Sequence, residues 1–389
     1  MDQSEHLLKH AGEKVHASSP STTALLSQAG VSVWLDGISR EQLASGTLHT
    51  LIATRGVVGV TTNLSTFASA VAGRTSYETQ LRTLSDHGST VAEAIDSLIS
   101  SDVVNAAAAL EPIFQRTQGL DGRVSIGVDP TFANQAHLTL ERASYLWTTL
   151  NRPNVMIEIP ATAEGIEAIA DATASGISVN VTLLFSIDIY RLVIRAYLSG
   201  LARAQLAGHD LTTIHSVASF SVSLVDTEID GRLGDTDAPD AAELRGTVGT
   251  ANARLAYRVF QEEFSSPRAQ SLLTRGARVQ RLLWTSTGVQ SPDVPDTFYV
   301  GELIAPGVVI SMQPTTLEAF ADHGVVSRNA LSDHYDEAVD TFERLHAAGI
   351  SYEKVTDKLL SEGVKRSEAS WRRLNNVVSE ALRQSPEDS

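Results

Sequence analysis

Eight short runs rich in β-branched and aromatic residues recur along this chain, with longer amphipathic stretches between most of them. The runs are Val31–Asp36, Val57–Thr62, Val124–Val128, Val155–Ile159, Ile177–Val181, His215–Val225, Arg281–Thr285 and Gly307–Ile310. The segments between carry apolar residues at helical spacing: one opening near Ser39, one from Leu64, then 76–117, 134–150, 163–174, 186–207 and 239–264. Alternation at this period implies parallel strands joined by right-handed crossovers. Eight such units in about 280 residues favour an α/β fold of the closed (β/α)8 type, a TIM-type barrel, over an open doubly wound sheet. Extra helices are expected at both ends. No Gly-x-Gly-x-x-Gly opens a helix after a strand and no Gly-x-x-x-x-Gly-Lys occurs, so a nucleotide site has no support. The predicted division is a flexible segment over 1–20, the barrel over 21–325, and C-terminal helices over 326–389 packed on the barrel, with Trp371 and Leu374 on one face.

Composition narrows the class of partner. A net charge of −16 argues against nucleic acid, because phosphate contacts need clustered cations. No apolar run reaches bilayer length and the first ten residues are not of the secretory type, so a cytoplasmic protein without membrane contact is expected. The absence of cysteine excludes disulfides, thiolate nucleophiles and Cys-ligated metals. His215 sits early in its strand and reads as core, and no histidine stands at ligand spacing from the acids discussed below. No metal and no cofactor is implied. The expected partner is a small-molecule substrate, with homodimerisation left open.

In such a barrel the reactive groups lie at the carboxyl ends of the strands. Those ends offer Asp36, then Thr61 and Asn63, then Glu158, then Asn180 and Thr182, then Ser219, Ser221 and Ser223, and last Thr285 and Ser286. Glu158 stands among Val155, Met156, Ile157 and Ile159, where an ionised carboxylate costs several kcal/mol unless paired. Two acids facing one confined space cannot both ionise cheaply, so one should hold its proton and the other act as a base. The plainer readings are a hydrogen-bonded core acid, or one neutralised by Arg281 or Arg123. Asn63 reads equally well as a helix cap.

The chain resembles the transaldolase family, in its long actinobacterial form, over nearly its whole length. The stretches that carry the resemblance are Val33-Trp-Leu-Asp-Gly-Ile-Ser-Arg40, Gly59-Val-Thr-Thr-Asn63, Val124-Ser-Ile-Gly-Val-Asp-Pro130 and Arg152-Pro-Asn-Val-Met-Ile-Glu-Ile-Pro-Ala-Thr162. They continue with Val179-Asn-Val-Thr-Leu-Leu-Phe-Ser186, Val217-Ala-Ser-Phe-Ser-Val-Ser-Leu-Val-Asp226, Leu283-Trp-Thr-Ser-Thr-Gly288 and Thr316-Leu-Glu-Ala-Phe-Ala-Asp-His-Gly324. The resemblance implies a (β/α)8 barrel and a Schiff base between a ketose phosphate and a strand-four lysine. Glu158 occupies that position. The five lysines are Lys9, Lys14, Lys354, Lys358 and Lys365, with none between residues 15 and 353. The resemblance further sets Gly127 where the family has a water-positioning glutamate. Leu224 and Gln290 stand where it has phosphate cations, Gly37 where it has an aspartate and Ser367 near an aromatic position. It matches Asp36 to a proton-transfer acid, and Asn63, Asn180, Thr182 and Ser219 to a polar shell.

From these differences the sequence alone predicts a repurposed enzyme of specialised metabolism. It would work on an unphosphorylated sugar-like or carbonyl substrate by acid–base catalysis with Glu158 and Asp36. Thr61, Asn63, Asn180, Thr182, Ser219, Ser221, Ser286 and Gln290 would line the substrate site. A non-catalytic relative is the alternative, and a conventional transaldolase ranks last. No cation is expected beside the two acids.

Overall fold

The computed structural model describes residues 21–383 apart from 74, 292, 328 and 329. The predicted N-terminal segment 1–20 and the last six residues lie outside the described residues. Eight parallel strands close into a barrel in chain order: β1 Ser32–Asp36, β2 Val57–Thr61, β3 Arg123–Gly127, β4 Val155–Pro160, β5 Val179–Leu184, β6 Ser216–Ser221, β7 Gln280–Thr285 and β8 Val309–Met312. β1 pairs with both β2 and β8, which completes the ring. The α/β barrel predicted from the alternation is therefore the observed fold.

The strands hold together because side chains of alternating direction fill both faces. Trp34, Met156, Val217, Leu283 and Val309 meet inside the barrel. Trp34 takes the central space because Gly59 offers no side chain: a Cβ there would lie 2.4 Å from the indole ring. Outward-facing residues such as Val33, Leu35, Val124, Ile157 and Val181 pack against the surrounding helices in one continuous core. Burial of this apolar surface, at roughly 25 cal/mol per Å², is the main stabilising term.

Some predicted boundaries shift. The run 177–181 becomes a strand over Val179–Leu184, which brings Thr182 inside it. The alternating run to Val225 ends as a strand at Ser221, and Ser223 instead starts the helix Ser223–Leu233. That helix is buried through Val225, Ile229 and Leu233. The segment 76–117 divides into Glu78–Asp86 and Val91–Arg116, and Thr90 caps the second with a capping box to Glu93.

Beyond β8 and its helix Pro314–His323, two helices run over Tyr335–Ala347 and Tyr352–Arg383. The long C-terminal helix sets Leu374 and Val378 into a cluster with Phe67, Tyr77, Leu81, Ile95 and Leu98. Nearer its start, Val355 and Leu359 join Phe185, Val225 and Ile229. It thus spans from the β5–β6 side of the barrel to the helices that follow β2, crossing the carboxyl ends of the strands. Gly363 makes the close approach feasible, because a Cβ there would meet Leu183 at 2.8 Å.

Candidate active site

The carboxyl ends of the strands and the C-terminal helix enclose a cavity of about 730 Å³. Asp36, Thr61, Asn63, Glu158, Asn180, Thr182, Ser219, Ser221 and Ser286 all line it. Gln290 does not: it lies exposed beyond β7, which corrects its place among the substrate-binding residues. Ser223, drawn into a helix, is likewise outside the lining.

Strand register positions these groups. Gly127, Glu158 and Asn180 stand side by side across β3, β4 and β5. The Asn180 amide donates to Ser125 Oγ at 2.9 Å and, more weakly, to Glu158 Oε1 at 3.5 Å. Its oxygen accepts the Ser219 hydroxyl at 2.7 Å. On the other side Asp36 pairs in register with Thr61, whose hydroxyl donates to Asp36 Oδ1 at 3.2 Å. Asn63 spends its oxygen on the helix that follows β2, accepting from the Ser65 and Thr66 backbone N–H groups and the Ser65 hydroxyl. It is a helix cap that also lines the cavity.

Glu158 is raised from the ordinary 4.5 to about 7. Enclosure by protein is the main cause; the Ser125 hydroxyl pulls the other way, and Asp36 adds a smaller upward push. Asp36 is also raised, by burial, against the Thr61 hydrogen bond. Repulsion between the acids, the reason advanced from sequence, is therefore secondary to desolvation. Neither arginine offered as a neutralising partner is near. Arg281 pairs with Asp121 at 3.0 Å, and Arg123 bonds the carbonyls of Gly119 and Pro153, all at the opposite end of the barrel.

Three features of the cavity were not read from sequence. Arg366 of the C-terminal helix lines it and is the one cation to do so among the described residues. It is exposed and enters no ion pair among the described residues, so the expectation that the mouth holds no cation is corrected. Leu183 and Ser286 hold φ of +53° and +56°, a left-handed conformation that is strained for residues with a side chain, and both line the cavity. Strain of this kind gathers at working sites. Nothing in the sequence set Arg366 apart from its neighbour Lys365, which does not line the cavity.

A closed barrel with two carboxylates and a polar shell at the strands' carboxyl ends is the architecture of a (β/α)8 enzyme. The chain matches the family model for Transaldolase/Fructose-6-phosphate aldolase over residues 33–378, and it belongs to that family. It is 50% identical over 357 residues to the protein named Transaldolase in Thermobifida fusca, covering 92% of this chain and 97% of that one. The protein of the same name in Mycobacterium ulcerans is 51% identical over 367 residues, 94% and 98% of the two chains. That of Renibacterium salmoninarum is 51% identical over 360 residues, 92% and 96%.

Identity of this extent, end to end and to proteins that share one name, overturns the prediction of a repurposed enzyme of specialised metabolism working outside transaldolase chemistry. The prediction rested on single positions, and half of all aligned positions speak against it. Among the described residues no helix is long and apolar enough to cross a membrane.

Proposed function

We propose that this protein catalyses aldol-type transfer of a ketose fragment to an aldehyde, the reaction its relatives' name denotes, in the cavity at the mouth of the barrel. The observation that carries the reading is the pairing of Asp36 with Glu158 in one cavity, where burial raises Glu158 to about 7 and keeps a large share of it protonated near neutrality. Glu158 stands at the strand-four position that the resemblance gives to the Schiff-base lysine. No lysine lines the cavity among the described residues, so carbonyl activation falls to an acid.

In this reading the Glu158 carboxyl donates its proton toward the ketone oxygen and stabilises charge as it develops there. The Asp36 carboxylate takes the proton from the hydroxyl on the departing carbon of the scissile bond, the carbon β to the ketone. The carbon–carbon bond breaks, the hydroxyl carbon leaves as an aldehyde, and the electron pair remains on the three-carbon fragment as an enediol. Addition of that fragment to the acceptor aldehyde reverses each step, and both protons return. Nothing is oxidised or reduced. Arg366 supplies the positive charge that a substrate phosphate needs in a chain of net charge −16. Asn180, Ser219 and Thr61 hold the two acids in place.

The test is transfer from fructose 6-phosphate to erythrose 4-phosphate, followed by release of glyceraldehyde 3-phosphate. Turnover that persists in the presence of borohydride and disappears in Glu158→Gln is expected. Absence of transfer by the folded full-length chain overturns the reading, as does a trapped ketose adduct on any lysine.

A further inference from the structure

A second cavity, of about 270 Å³, lies at the amino ends of the strands, across the barrel from the mouth. Its lining includes Arg123, Arg278, Arg281 and His215, with Trp34 and Met156 closing it toward the barrel interior. Arg281 is fully engaged: it pairs with Asp121 and donates to the Ser32 hydroxyl and the Gly307 and Val308 carbonyls. The other two arginines have no such balance.

Arg123 is 1% exposed, lies over the Phe114 ring at 4.9 Å, and donates only to carbonyl oxygens, of Gly119 at 2.8 and 2.6 Å and of Pro153 at 3.0 Å. Arg278 enters no ion pair among the described residues, and its Nε is buried without a hydrogen-bond partner. Trp34 Nε1 is buried and unpartnered as well. His215, 8% exposed, is pushed down to about 3 by burial and by the surrounding arginines, which leaves it neutral. Three guanidinium groups therefore share one carboxylate in a protein whose net charge is strongly negative.

Bracing of the strand ends accounts for Arg281 and most of Arg123. It does not account for Arg278 or for the unpaired donors. Arg278 is half-buried and Arg123 is buried without an ion pair among the described residues, which is costly, and guanidinium forks match the geometry of oxyanions. The volume falls just under the ~300 Å³ at which pockets for larger ligands begin, so it suits a compact ion. We propose that the base of the barrel is a binding site for a tetrahedral oxyanion, inorganic phosphate or sulfate, held by Arg278 and Arg123 and distinct from the mouth.

The experiment titrates the full-length chain with sodium phosphate, sodium sulfate and sodium chloride at matched ionic strength, following thermal unfolding and the His215 imidazole resonance. Saturable stabilisation by phosphate, by sulfate or by both, with a His215 shift at the same midpoint and no such effect of chloride, is expected. Response to one of the two alone names the occupant. Arg278→Gln should weaken the affinity about tenfold, the scale of one charge-assisted hydrogen bond, and Arg278→Lys less. Arg366→Gln should leave the His215 response intact. Equal stabilisation by chloride, a His215 signal that does not move, or an affinity unchanged in Arg278→Gln each overturns the proposal. The wild-type His215 measurement stands even if a variant fails to fold.

Discussion

Gly127 lies directly opposite Glu158 in the β3–β4 register, and a Cβ on it would sit 3.9 Å from Glu158 Oε2. That separation is ordinary van der Waals contact, and Gly127 is not in the left-handed region. Gly127→Ala should therefore fold normally while shielding Glu158 further from water. The expected outcome is an unfolding temperature within a few degrees of wild type at pH 5, and a Glu158 titration moved upward, read from the pH dependence of stability. A downward movement would show that solvent at Gly127 is not what the carboxyl faces.

Glu158→Gln tests linkage. The folded value of about 7 exceeds the ordinary 4.5, so the folded state takes up a proton on this group. The stability this contributes is fully present below pH 4.5 and is lost as pH rises through about 7. At pH 8 the ionised glutamate costs up to roughly 3 kcal/mol, which glutamine escapes. The variant should match wild type near pH 4 and be at least as stable at pH 8. A clear loss of stability at pH 8 would falsify the view that burial, not a buried partner, governs this acid.

The same two acids set the pH profile of turnover under the proposed mechanism. Activity should rise as Asp36 ionises, above the usual aspartate range, and fall as Glu158 loses its proton around pH 7. A plot of kcat against pH that stays level from pH 6 to 9 removes Glu158 as the acid.

Arg366→Gln should raise KM for a phosphorylated ketose about tenfold, with little effect on unfolding temperature. An exposed arginine with no ion pair among the described residues has little packing role to lose. An unphosphorylated ketose should lose nothing, so the ratio of the two kcat/KM values is the decisive quantity. Equal losses for both substrates would separate Arg366 from phosphate recognition.

Asn180→Leu should cost about 1–3 kcal/mol, because Asn180 is fully buried, the Ser219 hydroxyl loses its acceptor and Ser125 loses the amide that donates to it. Chemical unfolding near pH 4, below the ordinary glutamate value, measures this with Glu158 largely protonated in both states. A loss under half a kcal/mol would mean that the two serines re-pair with each other or with water.

Much of the barrel could be read from periodicity, since a β-branched run and an amphipathic helix differ in repeat length. The β6 run overreached because the alternation in Phe220-Ser-Val-Ser-Leu continues past the point where Ser223 enters a helix buried through Val225 and Ile229. Asp36, Glu158, Asn180 and Ser219 were legible because each is polar at the carboxyl end of an apolar strand. Gln290 was misplaced because matching a loop position by pattern says nothing about which way the loop runs. Arg366 was hidden for a different reason. It lies some 200 residues after Glu158 on a helix whose own pattern is unremarkable, and only tertiary packing carries it over the mouth. The left-handed turns at Leu183 and Ser286 were equally invisible, because neither residue type favours that conformation.

The helix Tyr352–Arg383 has one more implication, which concerns the order of synthesis. Every strand has left the ribosome before this helix is made, so the eight-stranded ring can close while its mouth still stands open. The apolar faces of Phe67, Tyr77 and Leu98 wait uncovered until Leu374 and Val378 arrive. The wall bearing Arg366 arrives with them. A chain cut short by a few dozen residues is then a barrel with an exposed greasy flank and an unfinished pocket, marked for chaperones or proteases by the same surface that a complete chain conceals.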